Sequence, residues 1–358
     1  MPYPRQSTVM NNTLWEHMAK AAVADTPCFP QEIMLTTTYN CNYRCRMCFQ
    51  DHYDRREMPW SMAEKLSDAL HYADTLQIIG GEPMIYSHFK DLVALAHRTE
   101  TKVRITSNGS LMDDSMRRFL MDNRIFNIKL SADAGTPKTY SLIRGGNFLK
   151  FLNNVLELSK LKAQTGSQWP ILEFNFVAQR SNVAELPRLV ALADSLGVFQ
   201  VNVYYMNCTR EDWMHESLYF HQEYSDECMA RAAQAAQAVG LPINLPVPFK
   251  APAAGESRVF SECHEPWRLL MADMDGQVTV CCGGAPVMGN LGSQEFMDIW
   301  HSPALTDLRR RVNSDDKPEC CRKCFGKLQQ ADSIYTHFSR PIADKLLADG
   351  REAFSLAV

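Results

Sequence analysis

Short apolar runs of β type alternate with amphipathic stretches over the first two hundred residues. Six runs are predicted as strands, at residues 33–38, 76–79, 103–106, 127–131, 172–177 and 200–205. Segments of helical period lie between them, at residues 61–72, 89–98, 113–122, 148–161 and 183–196. Strands that alternate with helices predict a parallel α/β sheet with right-handed crossovers. Six units fall short of the eight in a closed TIM barrel, so we expect a partial (β/α)6 barrel with its site at the carboxyl ends of the strands.

The pattern changes after residue 212. A helical stretch at 225–239 leads into LPINLPVPFKAPAAGES, whose prolines cannot continue a helix and indicate a linker. A hairpin is predicted next, with strands at 269–271 and 278–281 around an Asp275-Gly276 turn, followed by helices at 294–300 and 303–313. We therefore expect five parts: a helical extension at 1–30 with one helix around 12–23, a barrel core at 31–212, a helix and linker at 213–258, a small cysteine-rich domain at 259–330 and a tail at 331–358.

Composition excludes several classes of partner. The chain is 46% hydrophobic and 22% charged, which is typical of a globular protein, and its formal net charge is −4. So mild an acidity gives no electrostatic reason to expect nucleic acid or an anionic membrane surface as a partner. No run approaches the roughly 20 apolar residues of a membrane span, and the polar N-terminus lacks a signal-peptide core. We expect a soluble cytoplasmic protein.

Twelve cysteines are many for such a protein. In a reducing compartment they indicate metal or redox chemistry rather than disulfides. Three of them, Cys41, Cys45 and Cys48, form a C-x3-C-x2-C loop directly after the first predicted strand. Three thiolates on one loop can hold three irons of a cubane cluster and leave the fourth iron open for chemistry. The alternative is a zinc knuckle with His52 as fourth ligand.

A second motif, Gly80-Gly81-Glu82-Pro83, follows the second predicted strand. Two glycines allow close backbone approach to a ligand, and a glutamate can bind an ammonium group, although GGEP alone would be a turn. Together the two motifs resemble those of the radical S-adenosylmethionine (radical SAM) superfamily. That resemblance implies that the open iron is chelated by the amino and carboxylate groups of S-adenosylmethionine. It also implies reductive cleavage to a 5′-deoxyadenosyl radical, which abstracts hydrogen from a C–H bond.

Later segments extend the resemblance. Ile105-Thr-Ser-Asn-Gly109 is similar to the family's segment near the cofactor ribose, and Leu130-Ser-Ala-Asp-Ala-Gly135 with Ile143-Arg-Gly-Gly146 is similar to its S-x-D-G and R-G-G pair. Met47 stands where the family commonly has an aromatic residue near the adenine, a contact that Phe49 could supply instead. Ser131 and Asp133 could equally belong to a hydrogen-bonded loop. The resemblance thus implies these S-adenosylmethionine contacts: Met47, Phe49, Gly80, Gly81, Glu82, Pro83, Ser107, Asn108, Ser131 and Asp133.

A second cysteine group lies near the end of the chain. Paired cysteines around a hairpin fit a zinc ribbon, but the surrounding sequence resembles the C-terminal extension called SPASM or, when shortened, twitch. The resemblance implies one auxiliary 4Fe-4S cluster of the twitch form, because no cysteine follows Cys324. With four thiolates no iron is open, so this cluster should carry electrons. Cys282 or Cys320 could replace its neighbour in the expected ligand set: Cys263, Cys281, Cys321 and Cys324.

These features predict a radical SAM oxidoreductase that acts on a small molecule or a peptide, with a one-electron reductant such as flavodoxin or ferredoxin. In the favoured interpretation the auxiliary cluster accepts an electron and the product is oxidised. In the alternative, Cys208 after the sixth strand donates a hydrogen atom to the substrate radical and the enzyme is an epimerase, unless that thiol is only a small buried hydrophobe. A remote alternative is a non-catalytic iron–sulfur or zinc protein. Only about thirty residues precede the first strand, which favours a small molecule or a peptide recruited by a separate protein.

Overall fold

The computed structural model describes residues 6–50, 54–250, 262–322, 324 and 333–349. Ten strands lie in these ranges: β1 Glu32–Thr36, β2 Thr75–Ile79, β3 Lys102–Ser107, β4 Asn127–Ser131, β5 Ile171–Ala178, β6 Gln200–Tyr205, β7 Ile243–Asn244, β8 Leu269–Ala272, β9 Gln277–Thr279 and β10 Gly289–Asn290. They form a single sheet in the order β10-β9-β8-β1-β2-β3-β4-β5-β6-β7. The sheet has two free ends, so the barrel is open, as the six-unit pattern predicted.

The described ranges also contain fifteen α-helices. These are α1 Gln6–Lys20, α2 Trp60–Glu64, α3 Ser67–Leu70, α4 Phe89–Arg98, α5 Asp114–Asp122, α6 Pro137–Arg144, α7 Phe148–Thr165, α8 Leu186–Ser195, α9 Gln222–Val239, α10 Glu265–Arg268, α11 Phe296–Trp300, α12 Pro303–Arg311, α13 Glu319–Arg322, α14 Ile334–His337 and α15 Arg340–Ala348. The turn Pro83–Ile85 is a 3-10 helix. The barrel helix α7 shows why these segments are helical: Asn147 caps its first turn and Gly166 ends it in the left-handed conformation.

Strands β1 to β6 are mutually parallel, and their side chains alternate between the two faces of the sheet. In β5, Leu172, Phe174 and Phe176 are buried in the apolar core, whereas Glu173 and Asn175 point to the opposite face. The register places Thr36 of β1 beside Ile79 of β2, so the loops after the two strands emerge at one edge. The two motif-bearing loops are therefore neighbours.

The predicted C-terminal hairpin extends the barrel sheet. Strand β8 pairs in parallel with β1, with Leu270 beside Ile33, and β9 pairs antiparallel with β8. An unbroken sheet thus runs through the barrel core and the cysteine-rich segment that the sequence placed in a domain of its own. Local patterns predicted the hairpin but not this pairing, because its partner lies more than two hundred residues away.

Some predicted helices differ from those observed. The segment 61–72 forms two short helices, α2 and α3, and the N-terminal helix α1 begins six residues before its predicted start. Helix α6 was not predicted, although Thr136 caps it, Pro137 opens it and Gly145 ends it. Helices α14 and α15 lie in the segment predicted only as a tail. Of the proline-rich linker, residues 251–257 lie outside the described residues.

Candidate active site

Cys41, Cys45 and Cys48 lie on the loop after β1, at the carboxyl edge of the sheet. Cys41 is buried, and Cys45 and Cys48 are half-buried. The backbone N–H of Tyr43 points at the Cys41 sulfur at 3.4 Å, and the Asn108 amide nitrogen lies 3.8 Å from the same atom. Such N–H donors stabilise a negatively charged sulfur ligand. The loop therefore has both the thiols and the donors that a thiolate-bound cluster requires.

Burial also determines the protonation of these thiols in the metal-free chain. Loss of solvation raises the pKa of Cys45 to about 11, and it raises the pKa values of Cys41 and Cys48 as well. All three are therefore protonated at neutral pH before a metal binds. Cluster assembly must release these protons, which makes it dependent on pH.

The last turn of α6 contacts this loop and supports it. The backbone N–H of Arg46 donates to the carbonyl of Ile143 at 2.9 Å, and the Cys45 sulfur lies 3.7 Å from the carbonyl oxygen of Arg144. Both carbonyls belong to the last turn of the helix, where they lack helical partners. The R-G-G segment, which the sequence analysis identified only by resemblance, thus holds the cysteine loop in place.

Gly146, the second glycine of that segment, stands where the structure leaves no room for a side chain. A Cβ atom built there would lie 2.3 Å from the Tyr43 ring, which is closer than any side-chain contact allows. Tyr43 in turn meets the buried Tyr140 of α6 edge to face, with ring centroids 6.4 Å apart. The cysteine loop therefore packs against α6 through the Tyr43 ring, which occupies the space that a side chain at Gly146 would need.

The two glycines of GGEP pack against the cysteine loop, while their contact with a cofactor remains a prediction. A Cβ on Gly80 would lie 2.3 Å from the carbonyl oxygen of Thr38, and one on Gly81 would lie 2.3 Å and 2.4 Å from the carbonyl oxygens of Asn40 and Tyr39. Gly80 also has a φ of 146°, which L side chains rarely adopt. The close approach is therefore made by the chain's own cysteine loop, and this contact fixes the loop against β2.

Glu82 is fully buried, and its carboxylate is engaged within the protein. It accepts hydrogen bonds from the Ser107 hydroxyl at 2.9 Å, the Asn108 backbone N–H at 2.8 Å and the Met84 N–H at 3.3 Å. Burial raises the pKa of this carboxyl group. Pro83 follows as the first residue of the 3-10 turn, so the motif both caps a turn and joins β2 to the end of β3.

Asp133 makes a buried ion pair that the sequence did not predict. Its carboxylate lies 2.5 Å from the Arg144 guanidinium and accepts the Val177 backbone N–H at 2.6 Å. Both carboxylate oxygens thus have partners inside the protein, and the pair connects β4, β5 and the end of α6. Ser131 lies half-buried at the end of β4, on the same face as Asn175. Contacts of Asp133 or Ser131 with a cofactor remain a prediction.

The two candidates for the adenine contact occupy different surroundings. Phe49 is 74% exposed, whereas Met47 is half-buried against a small apolar cluster that contains Cys208 and Trp213. The adenine role of either residue remains a prediction. Met47 nevertheless places the cysteine loop in contact with the segment that follows β6.

Cys208 lies in that apolar cluster and is 2% exposed. Its sulfur lies 3.0 Å from the carbonyl oxygen of Arg210, and its backbone pairs with the segment before α15 through His337 and Ser339, each at 2.8 Å. Burial raises the pKa of the thiol. The residue thus joins β6 to the C-terminal helices, a connection with no signal in the local sequence.

The second cysteine group converges on the loop after β9. A point at the missing Cβ of Gly283 lies 3.0 Å from the Cys324 sulfur and 3.8 Å from the Cys281 sulfur, so these two thiols face each other across the glycine. The Cys321 and Cys320 sulfurs are 3.9 Å apart, and the side chain of Cys282 is exposed. Among the described residues, no three ligating groups converge as closely as a single-ion site requires.

The residues of both sites fit iron–sulfur ligation in chemical terms. The first offers three thiols on one loop, with N–H donors at the Cys41 sulfur. The second offers thiols on either side of Gly283, where a Cβ atom would fill the space between them. Cys41, Cys45 and Cys48 would hold one cluster, and the second group would hold the other.

Comparisons with known proteins agree with this geometry. The sequence matches the family model of the radical SAM superfamily over residues 35–168 and that of the SPASM iron–sulfur cluster-binding domain over residues 263–325. The chain therefore belongs to the radical SAM superfamily and carries a C-terminal SPASM-type domain. The two domains imply a 4Fe-4S cluster that binds S-adenosylmethionine and an auxiliary iron–sulfur centre.

Individual relatives are distant. A tungsten-containing aldehyde ferredoxin oxidoreductase cofactor-modifying protein of Pyrococcus furiosus is 26% identical over 174 residues, which are 46% of this chain and 49% of that protein, so the match spans about half the relative's length. A PqqA peptide cyclase of Gluconobacter oxydans is 24% identical over 316 residues, 84% of each chain.

Solved structures show the same fold. The crystal structure of Streptococcus suis SuiB bound to its precursor peptide SuiA superimposes with a TM-score of 0.63 at 17% identity, covering 90% of this chain and 75% of that one. At this identity the likeness concerns the fold alone. Among the described residues, no helix is long and apolar enough to cross a membrane.

Proposed function

We propose that this protein is a radical SAM enzyme that oxidatively modifies a peptide in the cytoplasm, with flavodoxin or ferredoxin as reductant. The observation that carries the proposal is the match to a PqqA peptide cyclase over 84% of both chains, which spans the barrel and the SPASM domain together. The cluster and S-adenosylmethionine, when bound, supply the radical that abstracts hydrogen. A small-molecule substrate remains the alternative from the sequence.

The inner face of the sheet, opposite the apolar core, carries polar side chains that favour a polar substrate. Glu173 accepts hydrogen bonds from the Asn127 and Asn202 side chains at 3.0 Å and 2.9 Å, and Lys129 stands beside Glu173 in the register. Amide and charged groups of this kind suit the amides and side chains of a peptide better than an apolar ligand. These residues lie toward the amino ends of β4, β5 and β6, on the face opposite the apolar core.

The environment of Cys208 favours oxidation over epimerisation. A hydrogen-atom donor must reach the substrate radical, but this thiol is 2% exposed, contacts a backbone carbonyl and is enclosed by the C-terminal helices. The chain's own role in the favoured reaction is to bind the substrate on the inner face and to keep water away from it. Met47 and Trp213 contribute to that exclusion on the β6 side.

The test is an anaerobic reaction of the reconstituted protein with S-adenosylmethionine, dithionite and synthetic peptides encoded beside its gene. We expect 5′-deoxyadenosine and a peptide that has lost two hydrogen atoms, both detected by mass spectrometry. A peptide whose mass is unchanged in H2O, but which gains one deuterium at a carbon when the reaction is run in D2O, would instead establish the epimerase. A modified small molecule, with every peptide unchanged, would contradict the peptide assignment.

A further inference from the structure

The C-terminal helices form a bridge between the two cysteine-bearing regions. On one side the backbone N–H of Cys208 donates to the carbonyl of His337, and the N–H of Ser339 donates back to the carbonyl of Cys208, both at 2.8 Å. The side-chain amide of Asn207 also donates to the carbonyl of Tyr335 at 3.2 Å. These bonds fix the start of α15 to the end of β6.

Arg340, the first residue of α15, extends from this anchor to the auxiliary cysteine loop. Its guanidinium donates to the carbonyl oxygen of Gly283 at 3.1 Å. A Cβ on Gly284 would lie 3.1 Å from the same guanidinium nitrogen, and Gly284 has a φ of 87°. The loop therefore uses a glycine where the arginine packs against it.

The turn that Arg340 contacts holds the sulfur of a candidate ligand. Burial has the larger effect on the pKa of the Cys281 thiol and raises it, whereas the backbone N–H groups of Gly283 and Ala285 act to lower it. Gly283 also separates Cys281 from Cys324. Another cation near this loop, Arg268, is already paired with Glu265 at 2.8 Å. Arg340 thus places positive charge at the turn that carries these two N–H groups.

We infer that Arg340 raises the reduction potential of the auxiliary iron–sulfur centre by placing its charge against the Gly283–Gly284 turn and by fixing that turn on Cys281. Reduction adds negative charge to a cluster, so nearby positive charge and N–H donors to its sulfurs stabilise the reduced form. Arg340 is a positioning residue and touches no reacting atom. The inference rests on the proposed function, because it needs an auxiliary cluster on this cysteine group.

The experiment is an anaerobic redox titration of the full-length holoenzyme, followed by electron paramagnetic resonance. Added S-adenosylmethionine perturbs the signal of the open cluster and leaves that of the auxiliary cluster unchanged, so the two are told apart. We expect Arg340→Gln to shift the S-adenosylmethionine-insensitive signal to a more negative midpoint potential. Arg340→Lys, which keeps the charge, should shift it less. The exposed Arg118→Gln is the matched control and should shift neither signal.

A second variant covers the case in which Arg340→Gln fails to hold its iron. Gly284→Ala leaves the arginine in the chain but displaces its guanidinium, and we expect a negative shift in the same direction. An unchanged potential in either iron-replete variant would overturn the inference while leaving the proposed function intact. Absence of any S-adenosylmethionine-insensitive signal in the unmodified protein would overturn the auxiliary cluster and the inference together.

Discussion

The two cysteine groups have different supports. Cys41, Cys45 and Cys48 lie on one short loop. That loop is hydrogen-bonded to the end of α6 and packs against the glycines of GGEP. The cysteines of the second group come from distant parts of the chain, Cys263 before β8, Cys281 after β9 and the rest around α13. The first group therefore needs the fold only to support one loop, whereas the second needs it to bring separate segments together, through contacts such as that of Arg340 with Gly283. The first region, the loop of Cys41, Cys45 and Cys48 with the residues that contact it, should therefore lose stability, iron or cofactor binding when those contacts are removed.

The largest effect is expected at the buried ion pair that supports the first region. Replacing Arg144 by Met should destabilise the fold by about 3–5 kcal/mol, because Asp133 is left as a buried charge without its partner. Urea denaturation of the reconstituted protein measures this loss. The control is Arg118→Met, which breaks an exposed pair with Asp114 and should cost less than about 1 kcal/mol. Equal costs for the two variants would show that the pair does not support the loop.

A slightly smaller effect is expected where β2 meets the cysteine loop. Gly81→Ala should cost about 3 kcal/mol and lower the iron content, since its Cβ would collide with two backbone carbonyls of the loop. Gly240→Ala, in open space at a φ of 73°, should cost only about 1 kcal/mol and keep all the iron. Iron analysis beside thermal unfolding separates the two variants. Full iron content and stability in Gly81→Ala would contradict the close approach.

A third effect is expected at Glu82, which the sequence predicts to contact the cofactor. Glu82→Ala should weaken S-adenosylmethionine binding by roughly 1.5–3 kcal/mol, the scale of charge-assisted hydrogen bonds. The iron content should not change, because the residue binds no metal. Equilibrium dialysis with labelled cofactor measures the affinity. Unaltered binding would leave Glu82 as a structural residue that joins β2 to the Ser107–Asn108 segment.

The smallest effect is expected at Cys208. Cys208→Ala should cost about 1 kcal/mol through the small cavity it leaves, and the ratio of product to 5′-deoxyadenosine should stay as in the unmodified protein. Cys228→Ala, another fully buried cysteine, is the matched control. Loss of product in Cys208→Ala alone, with deoxyadenosine still formed, would favour the epimerase.

Local patterns predicted the barrel well and its long-range contacts poorly. Strands β4 and β6 were predicted at their observed bounds and the other barrel strands within two residues, because buried parallel strands are short apolar runs between turns. No local sequence pattern indicates the pairing of β8 with β1 or the contacts of α15. At the site, the sequence identified both cysteine groups and GGEP by their spacing. It did not predict that the GGEP glycines also leave room for backbone carbonyls of the cysteine loop.

The central claim is that Cys41, Cys45 and Cys48 hold the cluster at which S-adenosylmethionine is cleaved, while the second cysteine group holds its own. Iron analysis and a 5′-deoxyadenosine assay on the variant with all three cysteines replaced by Ala test this most directly. The account predicts a folded protein that retains about four irons, one cubane cluster, and forms no 5′-deoxyadenosine. Iron content equal to that of the unmodified protein, or continued 5′-deoxyadenosine formation, would contradict it.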